Sequence, residues 1–241
     1  ATVDGTRYRI SPAFVVLAER ALESRFAARQ ADGMAPIVGR DHELALLIER
    51  WRQAKSGEGQ MVLLAGEAGI GKSRITEALV ETVAGEPHFL LRYQCSPYHA
   101  DSALYPVIQQ LTHAAGFAAD DSGDRRLDRL EALLARATDD IRDAAPLMAA
   151  LTGLDGTGRY GALTLTPQQR RSRTLAVLID QLTGLASRRP VLWVIEDAHW
   201  IDPTTLELIE LALDGVQSGT RIPEARLSRH PVIVLPHRMR A

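Results

Sequence analysis

Gly66-Glu67-Ala68-Gly69-Ile70-Gly71-Lys72-Ser73 sets three glycines, a lysine and a hydroxyl in one run of eight residues. The spacing, G-x-x-x-x-G-K-[ST], is that of a phosphate-cradling loop. Glycine carries no Cβ, so the backbone can close around an anion and turn its N–H groups inward. The start of a following helix adds partial positive charge on the same side. In such a loop the Lys72 ammonium reaches the β- and γ-phosphates of a nucleotide and the Ser73 hydroxyl holds Mg²⁺. A second group of chemistry-bearing residues, Glu196-Asp197, closes the apolar run Val191-Leu192-Trp193-Val194-Ile195. Two carboxylates at a strand tip can reach Mg²⁺ through water and polarise an attacking water. Strands often end in acids, so the second pattern draws its meaning from the complete loop upstream.

The loop needs a strand before it and a helix after it. Gln60-Met61-Val62-Leu63-Leu64-Ala65 is a short apolar run suited to a buried parallel strand. Ile75, Leu79 and Val83 then recur at helical spacing. Upstream, Ile37-Val38-Gly39-Arg40 leads into a helix expected to be capped by Asp41, with Leu44, Leu47, Ile48 and Trp51 on one face. Downstream, His88 to Arg92 reads as a second strand. Ser102 is expected to cap a helix bearing Leu104, Val107, Ile108 and Leu111. Leu127, Leu130, Leu134 and Ala137 mark another helix, and Ile141 to Leu151 a short one. Gly153 to Leu165 is glycine- and threonine-rich and reads as a mobile loop. Thr166-Pro167-Gln168-Gln169 opens a long helix with a capping-box glutamine. Arg170, Arg171 and Arg173 crowd its first turns, which suits either a solvated face or an anionic partner. Asp202-Pro203 caps a last helix that Gly215 is expected to end.

Composition sets outer limits. The chain has 241 residues, 46% hydrophobic and 24% charged, with a net charge of −2. These are ordinary globular values and give no general pull toward nucleic acid or anionic membrane. The single cysteine, Cys95, excludes an internal disulfide and fits a reducing cytoplasm. Cys95 and His99 lie four apart without a second pair, so they read as a buried thiol and a loop histidine. No apolar run approaches the length of a membrane span, and no basic or recognition motif suggests direct nucleic-acid binding. Residues 1–36 read as an appendage and linker, with a short strand near Thr6 and a helix from Ser11 to about Arg29. Residues 37–217 read as the main domain. Residues 218–241 form a tail rich in arginine, proline and histidine, in which Val232-Ile233-Val234-Leu235 suits a further parallel strand. The opening Ala1 suggests a piece of something longer. The character of the last two dozen residues suggests truncation or a shifted frame.

Taken together, these segments resemble an AAA-type ATPase domain of the STAND (signal transduction ATPase) class. The resemblance is to the ATPase segment of bacterial multidomain regulators, where it often follows a class III adenylate/guanylate cyclase domain; LuxR-type transcriptional regulators carry relatives. It rests on Glu23-Ser24-Arg25-Phe26, on Ile37-Val38-Gly39-Arg40 with Glu43-Leu44, and on Gly66 to Ser73. Tyr93 to His99 with Ser102 to Pro106, and Glu196-Asp197-Ala198-His199-Trp200-Ile201-Asp202-Pro203, complete it. The resemblance implies an α/β fold, a P-loop NTPase three-layer sandwich with a parallel sheet and helices on both faces; the sequence departs from the family in that the C-terminal lid is expected to be lacking. It implies ATP and Mg²⁺ as ligands and a slow hydrolysis that serves as a switch, or nucleotide holding without turnover. Gly66, Glu67, Ala68, Gly69, Ile70, Gly71, Lys72 and Ser73 would hold the phosphates, and Val38, Gly39 and Arg40 would lie near the adenine. Lys72, Glu196 and Asp197 match catalytic positions, and Ser73 with Glu196 the metal-holding ones; which of the two acids serves the metal stays open. The partners implied are ATP and ADP, a linked output domain of cyclase-like or transcriptional type, and a nucleotide-dependent oligomer.

Overall fold

The computed structural model describes residues 2–3, 6–7, 37–218 and 232–238. The chain divides into two units, Ala1–Gly33 and Met34–Ala241. In the first, Thr2–Val3 pairs antiparallel with Thr6–Arg7. The helix expected from Ser11 to Arg29, the linker at 31–36 and the Glu23-Ser24-Arg25-Phe26 match lie outside the described residues.

The second unit is built on a parallel sheet. Its strands are β1 (Gln60–Gly66), β2 (Phe89–Gln94), β3 (Val191–Glu196) and β4 (Val232–Arg238), in the spatial order β1-β4-β3-β2. Parallel neighbours cannot be joined by tight turns, so each connection crosses a face of the sheet and carries helices. The helices are α1 (Asp41–Lys55), which precedes β1, then in the connections α2 (Lys72–Val83), α3 (Tyr105–Ala114), α4 (Gly123–Leu134) and α5 (Ala144–Leu151). The single turn α6 (Thr157–Tyr160), then α7 (Pro167–Arg188) and α8 (Pro203–Ser218), complete the set.

β3 is buried at every position. Because side chains alternate along a strand, its continuous apolar run serves two layers at once. Leu192 and Val194 pack with Leu47, Trp51 and Ala54 of α1 and with Ile75, Leu79 and Val83 of α2. Val191, Trp193 and Ile195 face the other way, into a cluster built from α3, α4, α5, α7 and α8. The result is a three-layer α/β sandwich. The expected strand at Val232-Ile233-Val234-Leu235 belongs to β4 and runs between β1 and β3, in register with Val62↔Val234 and Val194↔Val234. Its pairing to β3 ends there, two residues before Pro236, which has no N–H to give a ladder.

Several boundaries differ from the sequence reading. α1 has Arg40 at its N-cap with no side-chain cap, and Asp41 is its first residue. α3 starts at Tyr105, because Leu104 takes a left-handed conformation (φ 59°) and the buried Asp202 accepts its N–H at 3.1 Å. The stretch 153–165 contains α6, and α8 passes through Gly215 to Ser218. β1 is buried on one face only: Met61 and Leu63 are 46% and 54% exposed, since the helices of the second layer reach β3 and β2 but not this edge strand. Among the described residues no helix is long and apolar enough to cross a membrane.

Candidate functional site

Four parallel strands bring their carboxyl ends to one edge of the sheet, and the chemistry-bearing residues collect there. The loop Gly66–Ser73 runs from the end of β1 into α2. Gly69 and Gly71 have φ of +82° and +97°, the left-handed region that a Cβ disfavours, and a Cβ at either would meet no heavy atom within 4 Å. Both positions therefore turn the chain beside open space. Lys72 is its first helical residue, and its ammonium donates to the carbonyls of Gly66 and Glu67 at 2.9 and 2.7 Å. The cation is thus seated on the loop's own oxygens, next to where the run of backbone N–H groups begins. A glycine-turned loop that opens a helix and carries a lysine suits a polyphosphate.

The Val38-Gly39-Arg40 segment is tied to the same loop. Gly39 turns the chain with φ +67°, and Arg40 donates to the Ile70 carbonyl at 3.1 Å while pairing with Glu43 at 2.6 Å. The Arg40 bond holds the Glu43 carboxyl below its ordinary range. Val38 is 83% exposed. Arg40 links the Val38-Gly39-Arg40 segment to the Gly66–Ser73 loop, a contact sequence spacing alone does not reveal.

Opposite stand the two acids. Glu196 is the last residue of β3 and, by strand alternation, lies on the same side as Leu192 and Val194, the side covered by α2. It is 7% exposed, and burial pushes its carboxyl up to about 7 against the pull of Arg92, with Asp197 and Glu77 adding to the rise. Asp197 takes a left-handed conformation (φ 52°), which aspartate tolerates better than most residues, and Gln94 at the end of β2 donates to its Oδ2 at 3.0 Å. The Cys95 N–H donates to the Glu196 carbonyl at 3.0 Å, extending the β2–β3 ladder to the tip. Both acids stand at one strand end, with a hydroxyl-bearing loop on the neighbouring helix. Hydroxyl and carboxylate oxygens are the donor types Mg²⁺ prefers. The donor types present, the Ser73 hydroxyl and the Glu196 and Asp197 carboxylates, suit a phosphate-bound Mg²⁺.

Sequence reading missed Arg92 and Glu77. Arg92 Nη2 donates to both oxygens of Glu77 on α2, at 2.9 and 2.8 Å, and Nη1 lies 3.6 Å from Glu196 Oε1. An arginine inside an otherwise apolar strand was the available signal. Asp202, read as a helix cap, does cap α8: its Oδ1 accepts from Thr204 and Thr205 N–H at 3.1 and 2.9 Å. Its further bond to Leu104 locks the loop after β2 to the segment after β3. Arg171, one of three arginines that allowed an anionic partner, pairs with Glu207 of α8.

Comparison with known proteins adds the family. The family profile described as AAA ATPase domain matches residues 36–223. An uncharacterized protein of Rhizobium meliloti (strain 1021) is 30% identical over 174 residues, which cover 72% of this chain and 17% of that protein. The chain thus spans about a sixth of that relative's length. Among solved structures it is similar to the Aeropyrum pernix ORC2 protein (ADPNP-ADP complexes), with 14% identity, a TM-score of 0.43, and coverage of 86% of this chain and 43% of that one. With the profile matching most of its length, the chain belongs to the AAA ATPase domain family, a family of nucleotide-binding P-loop ATPases.

Proposed function

We propose that this domain binds ATP with Mg²⁺ and acts as a slow, nucleotide-dependent switch of the STAND class inside a larger cytoplasmic regulator. One observation carries the reading: the Lys72 ammonium sits on the mouth of an open, glycine-turned loop at the same sheet edge as Glu196 and Asp197. In this reading the loop N–H groups bind phosphate oxygens, and Lys72 leaves the Gly66 and Glu67 carbonyls for the β- and γ-phosphates. Mg²⁺, when bound, neutralises phosphate charge, and Ser73 and Glu196 are its holders. Asp197 orients the attacking water and accepts its proton. Val38, Gly39 and Arg40 border the adenine, supported by the Arg40 bond to the loop at Ile70. The match to a fraction of a longer relative supports a linked output domain, of cyclase-like or transcriptional type, driven through a nucleotide-dependent oligomer. Direct nucleic-acid contact is assigned to that output domain.

A second reading, nucleotide holding without turnover, is favoured by one feature. Gln94 engages Asp197 and Arg92 engages Glu196, so protein groups already occupy both acids. Binding and turnover assays on the same preparation separate the two readings. Lys72→Ala should abolish ATP binding. Asp197→Asn should keep binding and lower hydrolysis about 100-fold or more. Equal ATP affinity in wild type and Lys72→Ala would defeat both readings, and a wild type that binds without releasing phosphate would leave only the second.

A further inference from the structure

Arg92 is a largely enclosed cation shared by two buried acids. Its side chain is 15% exposed, and those of Glu77 and Glu196 are 11% and 9% exposed. The three come from different elements: Glu77 from α2, directly after the phosphate loop, Arg92 from β2, and Glu196 from the tip of β3. Alternation explains the meeting. Leu90 and Arg92 of β2, like Leu192, Val194 and Glu196 of β3, point to the face on which α2 lies. The contacts are unequal. Both Glu77 oxygens bond the same nitrogen, Nη2, at hydrogen-bond distance, whereas Glu196 Oε1 stands 3.6 Å from Nη1. Arg92 is therefore fixed by Glu77 and approached by Glu196. Its Nε, also buried, has no hydrogen-bond partner.

Charge gives this arrangement a direction. One guanidinium faces two carboxyl groups in a poorly solvated place, so ionising the second is costly unless another cation answers it. The fixed pair Arg92–Glu77 is neutral by itself, so the carboxyl left to gain from a second cation is Glu196, which Arg92 approaches at 3.6 Å without a hydrogen bond. We propose that Arg92, held by Glu77, is the positioning residue that aims the Glu196 carboxylate at the metal face of the site and couples it to α2. The proposal rests on the reading of Glu196 as a metal holder. Outer-shell partners of this kind orient a ligating carboxylate, and their loss weakens metal affinity without removing a ligand.

The test uses the 241-residue chain and a fluorescent ATP analogue, titrated with Mg²⁺ and separately in excess EDTA. Arg92→Met is expected to raise the Mg²⁺ concentration for half-maximal effect about tenfold or more, while affinity in EDTA stays within about twofold. Arg92→Lys keeps the charge but not the fork and should fall between. The double variant Arg92→Met, Glu77→Gln removes one charge of each sign, so it provides a charge-matched background should the single variant fold poorly; it should show the same shift. Superimposable Mg²⁺ titrations, or equal losses with and without Mg²⁺, would overturn the proposal. If wild type binds no analogue, the functional reading falls, and positioning is then read from nucleotide-free crystals alone. There the Glu196 carboxylate should stand beside Arg92 in wild type and leave that position in the double variant; an unmoved carboxylate overturns the proposal.

Discussion

Cys95 sits at the end of β2 with 2% of its surface exposed. Burial pushes its thiol up to about 12, and the Asp202 and Asp197 carboxylates add to the rise. A raised acid favours its protonated form in the folded state. The stability this group contributes is fully present below its unfolded value of 9.0 and is lost as pH climbs from there toward 12. At pH 8 the raised thiol holds far less thiolate than in an unfolded chain, and burial also blocks access, so alkylation should be slowed about tenfold or more. Timed iodoacetamide labelling at pH 8, native and in guanidinium, checks it; native labelling at the unfolded rate would show that the segment opens freely. A lone cysteine without a second ligand pair already read as a buried thiol. Arg92 and Glu77 did not read as partners, and the reason is physical. Periodicity assigns each residue to a face, but a salt bridge between β2 and α2 needs the angle at which the helix crosses the sheet. Left-handed backbone at Leu104 and Asp197 was invisible for a similar reason, since neither is glycine.

α7 shows both sides of legibility at the level of an element. Its start was plain in the residues: Thr166 Oγ1 accepts the Gln169 N–H at 3.2 Å, and Gln169 Oε1 accepts the Thr166 N–H at 3.0 Å. Its interior hides Gly184, a poor helix former that earns no explanation from the helix alone. A Cβ there would come within 2.9 Å of the Ala137 carbonyl carbon and closer still to its oxygen, in the turn after α4. Gly184→Ala therefore sets two effects against each other. Helix propensity favours alanine by about 1 kcal/mol. Overpacking against a backbone group costs about 1–3 kcal/mol, and the backbone cannot turn away as a side chain can. The net should be destabilising, read as a lower urea midpoint with an unchanged slope; a raised midpoint would mean that α7 and the α4 turn can part without cost. β1 erred in the opposite sense. Its run of apolar residues predicted burial on both faces, yet Met61 and Leu63 are half exposed, because composition gives a strand's affinity for a core and not its place at the sheet edge.

At the scale of the molecule, the sheet's two faces carry different duties. The cluster of α1 and α2 backs the phosphate loop, and the larger cluster of α3, α4, α5, α7 and α8 backs the opposite face. β3 belongs to both, so its acidic tip is held between two packed layers, while Gly69 and Gly71 of the loop turn beside open space. The rigid parts were legible because apolar period and strand–loop–helix order encode them locally. A ligand that joins loop to strand tip adds contacts between elements that Arg92 also ties together, through Glu77 of α2 and Glu196 of β3. Any molecule that binds only the folded state raises its stability, by about 2.7 kcal/mol at a hundred times the dissociation constant. For a domain of this size that corresponds to a melting shift of about 5–10 °C. Wild type with ATP and Mg²⁺ should show it in a thermal melt, and Lys72→Ala should not, since its cationic seat is gone. Asp197→Asn should retain the full shift, because an acid that only orients water contributes to turnover and not to affinity. A variant at Asp197 that lost the shift together with activity would move that residue from the reacting water to the bound nucleotide.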